Sequence, residues 1–189
     1  VFTRNEELRS EDFMEAAVAA HHGAVFRLAL NQTGNRADAQ DVTQEVFIKL
    51  MKSFTAFRDA DHLRAWLLRV TINQCRDLAR QAWKRRVDVS AEPVVRPDAA
   101  QDEVLDAVVE HPVWSALRTL KETDRAVLHL RYVEELTIPE IADALSCKQV
   151  TVRTRLRRAR LKLRRAMEDA GGVRGGASVG VTDGIGGLQ

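Results

Sequence analysis

Nine basic side chains lie between Lys148 and Arg165: Lys148, Arg153, Arg155, Arg157, Arg158, Arg160, Lys162, Arg164 and Arg165, with no acid among them. The rest of the chain carries 20 basic against 27 acidic residues, a net of −7. Charge segregated in this way suits a polyanion at one end and a different partner elsewhere. On a helical wheel Val152, Leu156, Ala159 and Leu163 share one side, and Gln149, Val150, Arg153, Thr154, Arg157 and Arg158 occupy the opposite side or its flanks. Those nearest the helix start can enter a major groove, where Arg pairs with guanine and Gln with adenine, while later arginines meet phosphates. Missing Glu partners at i,i+4 argue against a merely solvated face, because unrelieved like charge destabilises an isolated helix.

Two further sets of side chains could act on a partner. Asp41, Gln44, Glu45 and Lys49 form a polar edge beside Val42 and Val46. No His or third acid stands near Asp41 and Glu45 in sequence, so a protein-binding face is expected there in place of acid–base or metal chemistry. Asn73, Asp77 and Arg80 recur at helical spacing with Gln74 alongside, which fits either nucleic-acid contact or ordinary surface. Phe54, Phe57 and Trp66 offer stacking groups for an unpaired base. Cys75 and Cys147 form no CxxC pair and fall in apolar helical patterns, so plain buried thiols are expected. Nothing here calls for a cofactor, a metal or a catalytic residue.

The elements that must position these groups are helical. Ala, Leu, Arg and Glu dominate and aromatic residues are 5% of the chain, which favours helices over strands. Apolar spacing predicts a helix over about 11–33, with Phe13, Ala17, Val18, Val25, Phe26, Ala29 and Leu30 inward. Asn35 with Asp38 reads as the start of a second, burying Ala39, Val42, Val46, Phe47 and Leu50. After a loop at about 55–61, Asp61 is expected to cap a third helix striped by Leu63, Trp66, Leu67, Val70 and Leu78, running into Lys84-Arg85-Arg86. Residues 89–109 hold Pro93 and Pro97 with little to bury, which predicts a flexible linker between domains at 1–88 and 110–170. Pro112 opens the next helix, Thr123 is expected to cap another, and Thr137 with Glu140 reads as a capping box. A break at Ser146–Lys148 then precedes a helix over about 149–168, completing a helix-turn-helix. The tail 171–189 holds eight of the ten glycines and is expected to be disordered. No run approaches 18 apolar residues and the first residues lack a signal-peptide core, so no membrane insertion and a cytoplasmic location are expected.

With these residues in place, the chain resembles the extracytoplasmic-function (ECF) group of the sigma-70 family of RNA polymerase sigma factors, over about residues 11–168. Asp41-Val-Thr-Gln44-Glu45-Val-Phe47 is similar to the D-x-x-Q-E-x-F signature of region 2.2. Phe57 to Arg80 resembles regions 2.3 and 2.4, Leu117 to Tyr132 region 4.1, and Thr137 to Arg160 region 4.2. The resemblance implies an all-α fold of two small helical domains and no enzymatic activity. It also implies that core RNA polymerase and promoter DNA are the partners, with an anti-sigma factor as inhibitor. Asp41, Gln44, Glu45 and Phe47 would dock on the clamp helices of the largest subunit, and the second domain would meet the flap. Arg64, Arg69, Asn73, Asp77 and Arg80 would engage the −10 element. Lys148, Gln149, Val150, Arg153, Thr154, Arg157 and Arg158 would lie at the −35 major groove. Lys148 departs from the family's common Ser cap, and Val150 stands where Gly is frequent. A conventional helix-turn-helix regulator is the alternative, and it predicts dyad-symmetric binding without polymerase.

Overall fold

The computed structural model describes residues 9–88 and 112–174, and every regular element among them is an α-helix: α1 (Glu11–Thr33), α2 (Arg36–Met51), α3 (Ala60–Asp88), α4 (Pro112–Arg118), α5 (Glu122–Tyr132), α6 (Ile138–Ala144) and α7 (Gln149–Arg174). Among these residues no helix is long and apolar enough to cross a membrane. The expected linker and the tail from 175 lie outside the described residues. Helix α7 runs through the two glycines at 171–172 to Arg174 instead of ending near 168.

Local chemistry sets most boundaries. The Ser10 hydroxyl accepts from the Phe13 N–H, and α1 closes on Gly34, whose φ of 77° lets its N–H reach the Leu30 carbonyl. Asn35 accepts from Asp38 N at 2.8 Å, starting α2 as its spacing predicts. Thr137 and Glu140 form the reciprocal capping box of α6. Two caps differ from expectation. Asp59, not Asp61, takes the free N–H of His62 at 2.7 Å, because it lies one residue before Ala60, where helical geometry begins. At α5 the N-cap is Lys121, without a side-chain cap bond; Thr123 already lies in the first turn.

Helices α1, α2 and α3 pack on one another around Val25, Ala29, Val42, Val46, Leu50 and Leu67. Val18, expected inward, is 37% exposed at the rim. Helices α4, α5 and α6 pack on α7, whose Val152, Leu156 and Ala159 are buried as the wheel predicts. Buried Thr43 and Thr71 return their hydroxyls to the carbonyls of Ala39 and Leu67, four residues back, so neither carries an unmet donor into the core.

The two groups of helices meet. Leu28, Leu68 and Ile72 of the first share one continuous apolar cluster with Leu120, Val127, Leu130, Ile141 and Leu145 of the second. Side chains of this size contribute about 1.5–3 kcal/mol each when fully buried. The contact runs from α1 to α5 and from α3 to α6.

Candidate nucleic-acid and protein interfaces

The start of α7 presents one continuous exposed row. Lys148, Gln149, Val150, Arg153, Thr154, Arg157 and Arg158 are all exposed, and Val150 reaches 69%. The turn before them holds because Ser146 adopts a φ of 50° and the Cys147 N–H reaches back to the Ala142 carbonyl at 2.9 Å. That turn aims the N-terminal end of α7 outward while Val152 and Leu156 anchor its back. Glu140, in the capping box, has its carboxyl pKa held below the ordinary value by hydrogen bonds from the Thr137 hydroxyl and N–H.

Farther along α7 the cations are partly engaged. Lys162 donates to the buried Asp124 carboxylate at 2.5 Å. Arg164 pairs with Glu168 at 3.6 Å, an i,i+4 partner that corrects the expectation of none. Arg160 lies over the Tyr132 ring at 5.8 Å. Free positive charge is therefore densest on the first three turns.

On α3, Asn73 is exposed, and Arg80 donates to Asp77 at 2.9 Å, so that these two form a pair on the same face. Trp83, one turn beyond Arg80, is 68% exposed. An isolated Trp after a charged helix face gave no periodic signal, and sequence reading passed over it. Arg69 lines a cleft of about 660 Å³ whose other wall includes Glu140, Asp143, Ser146 and Lys148 of the helix-turn-helix. Phe57 is not free to stack on a base. Phe13 lies parallel to it at 6.5 Å, Trp66 meets its edge at 5.7 Å, and the Arg9 guanidinium covers it at 4.7 Å. Phe54, at 75% exposure, is free.

Arg64 is engaged elsewhere. Its Nη2 donates at 2.8 Å to the main-chain carbonyl and at 2.8 Å to the carboxylate of Glu134, which follows α5. Arg27 on α1 reaches the same carboxylate at 3.3 Å, and His129 Nε2 stands 3.4 Å from it, too poorly aligned to count as a hydrogen bond. Glu134 is 1% exposed. Burial pushes its pKa up, but the His129 ring, the Arg64 hydrogen bond and the Arg27 charge outweigh burial and hold it at about 2.

On α2, Asp41 and Gln44 are exposed and Glu45 is half-buried, and neither carboxylate forms an ion pair with another of the described residues. Lys49 donates to Gln74 at 2.7 Å, joining this edge to α3. Phe47, grouped with them in sequence, is 9% exposed and stacks at 6.3 Å against His22. Its place is in the core under this face, with one edge reaching a shallow groove beside Gln44, Met14 and Val18. No group of three or more His, Cys, Asp or Glu side chains among the described residues could hold a metal ion.

Comparison with known proteins gives the same division. The model of sigma-70 region 2 matches residues 17–85, and that of sigma-70 region 4 matches residues 111–163. The ECF RNA polymerase sigma factor SigE of Mycolicibacterium smegmatis is 32% identical over 151 residues, which cover 78% of this chain and 58% of that protein. The ECF RNA polymerase sigma factor SigL of Mycobacterium tuberculosis is 32% identical over 163 residues, 85% of this chain and 92% of that one. Among solved structures, CnrH in complex with the cytosolic domain of CnrY aligns with TM-score 0.61 at 28% identity, over 85% of this chain and 90% of that one. The sigma factor RpoE of Bartonella quintana, solved with the anti-sigma factor NepR, has the same fold, with TM-score 0.68 at 18% identity over 84% and 98% of the two chains.

Proposed function

Because the chain belongs to the sigma-70 family of RNA polymerase sigma factors, in its ECF group, we propose that it binds core polymerase through α2 and directs it to promoters through α3 and α7. Asp41, Gln44 and Glu45 make the polymerase-facing edge on α2, and Phe47 supports that edge from beneath. Asn73, Asp77, Arg80 and Arg69 face the −10 element, with Arg64 joining them once freed from Glu134. Exposed Trp83 adds a stacking surface at the end of that row. Lys148, Gln149, Val150, Arg153, Thr154, Arg157 and Arg158 enter the −35 major groove. The chain is not an enzyme; the polymerase supplies the chemistry. It acts in the cytoplasm, where polymerase and promoter are, and an anti-sigma protein is its inhibitor.

One observation carries the reading: seven exposed side chains from Lys148 to Arg158 stand on a helix whose opposite seam, Val152, Leu156 and Ala159, is buried within a capped helix-turn-helix. That is the geometry of a helix held by its back and offered to a groove. The test combines the purified chain with core polymerase on promoter fragments and reads complex formation and transcript. Promoter binding and transcripts are expected only when both proteins are present. Tight binding of a dyad-symmetric duplex by the chain alone, unaffected by polymerase, would instead identify a conventional repressor or activator.

A further inference from the structure

Between α2 and α3 the side chains alternate. Ser53, Thr55 and Phe57 are half-buried, whereas Lys52, Phe54, Ala56 and Arg58 are exposed. Alternation of this kind belongs to a nearly extended backbone, which sends successive side chains to opposite sides. The outer side therefore carries an aromatic ring between two cations, and Phe54 is 75% exposed. Such a ledge suits single-stranded nucleic acid, with the ring stacked on a base and the cations against phosphates. Arg58 and Asp59, at its end, line the same cleft as Arg69.

The inner side is fastened to the segment that precedes α1. Arg9 donates through Nε to the Leu50 carbonyl at 3.1 Å and through Nη2 to the Thr55 carbonyl, and its N–H reaches the Met51 carbonyl at 3.3 Å. Its guanidinium carbon stands 4.8 Å from the centre of the Phe13 ring and 4.7 Å from that of Phe57. One side chain thus joins the last turn of α2, the middle of the loop and the ring at its far end. Inside the loop, the Thr55 N–H donates to the Ser53 hydroxyl oxygen at 3.1 Å, a local bond that spans two residues. The planar guanidinium fork suits this bridging of two carbonyls and two rings, and the point charge of Lys offers no equivalent. Arg9 lies outside the match to sigma-70 region 2, which begins at residue 17.

We propose that Arg9 is a positioning residue for the −10 element: it holds the segment from Lys52 to Arg58 in the shape that presents Phe54 to an unpaired base of the melted strand. The inference rests on the sigma-factor reading of α3 given above. Arg9 acts through the loop and not by touching DNA. It removes conformational freedom that the loop would otherwise surrender when the strand binds, so less ordering is left to the binding step.

The test uses the full chain as Arg9→Ala, Arg9→Lys, Phe54→Ala and the double variant Arg9→Ala with Phe54→Ala. Circular dichroism checks helicity, and amide hydrogen exchange of the free chain reads order across residues 52–58. Each holoenzyme is then titrated with a single-stranded oligonucleotide carrying the non-template −10 sequence, and with duplex −35 variants as the control. Phe54→Ala is expected to weaken binding of the single strand about tenfold, the effect of one lost stacking contact. Arg9→Ala should speed exchange across 52–58 and weaken the same strand about fivefold, with the −35 ranking unchanged. Arg9→Lys should fall between parent and Arg9→Ala, since it keeps the charge without the fork. In the double variant Arg9→Ala should add no further loss, because the ring through which Arg9 acts is gone. Additive losses, or unchanged exchange in Arg9→Ala, would overturn the positioning role. So would single-strand binding by Phe54→Ala equal to that of the parent. Should Arg9→Ala lose helicity, Arg9→Lys and its double with Phe54→Ala carry the same comparison at smaller size. If neither parent nor variants bound core polymerase, the sigma-factor reading would fall and the promoter role with it, while exchange would still judge whether Arg9 holds the loop.

Discussion

Arg64 on α3 donates to both the carboxylate and the main-chain carbonyl of Glu134, 70 residues later, each at 2.8 Å. A side chain whose position in the chain suits promoter contact is thus held by an acid from the other helical group. Glu134 can hold it because the chain turns sharply there. Glu135 adopts a φ of 56°, the Leu136 N–H reaches back to the Leu130 carbonyl at 2.9 Å, and Arg131 donates to the Leu136 carbonyl at 2.9 Å.

The first prediction concerns acid stability. The Glu134 carboxyl has its pKa lowered from 4.5 to about 2, so the unfolded chain binds its proton more readily. Its contribution is fully present above about pH 4.5 and is lost as pH falls toward 2. Linkage puts that contribution at roughly 3 kcal/mol. His21, whose pKa burial and the Arg64 charge lower from 6.5, acts in the same direction, with stability declining as pH drops below 6.5. Urea unfolding followed from pH 7 to 2.5 should show this decline, and Glu134→Gln should flatten the limb below pH 4.5 while leaving the His21 limb. An acid limb of equal slope in parent and variant would contradict the assignment.

A second prediction tests the α2 edge. Replacing Asp41 and Glu45 together by Lys should weaken core polymerase binding at least about tenfold, since reversing the charge of an interface edge sets like charges against each other, at a cost of several kcal/mol. Helicity should be unchanged, because both side chains lie outside the packed stripe of Val42, Val46 and Leu50. Equal affinity of parent and double variant in a pull-down titration would remove this edge from the interface.

The third prediction separates the two thiols. Cys75 is buried, and burial first, then the Glu122 charge, raises its pKa to about 12. Only a thiolate attacks alkylating reagents, so Cys75 should stay unlabelled by iodoacetamide at pH 7.5 in the folded chain. Cys147, half-buried beside the cleft, should label alone, and urea should make both accessible. Prompt labelling of Cys75 under native conditions would show that α3 opens locally.

How much of this was legible beforehand follows from the range of each interaction. Asn35 with Asp38, Thr137 with Glu140, and the Val152–Leu156–Ala159 seam act within three or four residues, and the residue types alone announce them. Glu134 with Arg27 spans 107 residues, and Arg125 with the Gln32 carbonyl spans 93. No periodic pattern encodes such pairs, and Glu134-Glu135 reads in isolation as an exposed acidic turn. The inward placement of Phe47 is visible in its helical period, and the structure buries it at 9% exposure.

The fourth prediction concerns the turn before α7. Ser146 holds a φ of 50° with an exposed side chain, a conformation that costs an L-residue free energy and glycine almost none. Ser146→Gly should stabilise the chain by about 0.5–1 kcal/mol, after allowing for the greater freedom glycine gives the unfolded state. A lower urea midpoint for the variant would mean that the Ser146 side chain contributes more than its backbone costs.

The last prediction separates sequence reading from charge attraction along α7. Arg153 and Thr154 are exposed on the second turn, and the Thr154 hydroxyl is anchored to the Val150 carbonyl at 3.0 Å. Arg165 is exposed some three turns later, while its neighbours Arg164 and Lys162 are occupied by Glu168 and Asp124. Replacing Arg153 or Thr154 by Ala should reorder the holoenzyme's preference among −35 variants, with a well-formed base contact contributing about 1–3 kcal/mol. Replacing Arg165 by Ala should weaken all variants alike and reduce the salt slope of binding by about 1. Replacing Lys162 should change binding least and stability most, because it leaves the buried Asp124 carboxylate without its cation. The −10 element is held constant throughout, and affinities are measured by competition at three salt concentrations. If the −35 ranking survives substitution at Gln149, Val150, Arg153 and Thr154 alike, these residues do not face the bases. The groove register then shifts one turn toward Arg157 and Arg158, the next exposed pair on the same face.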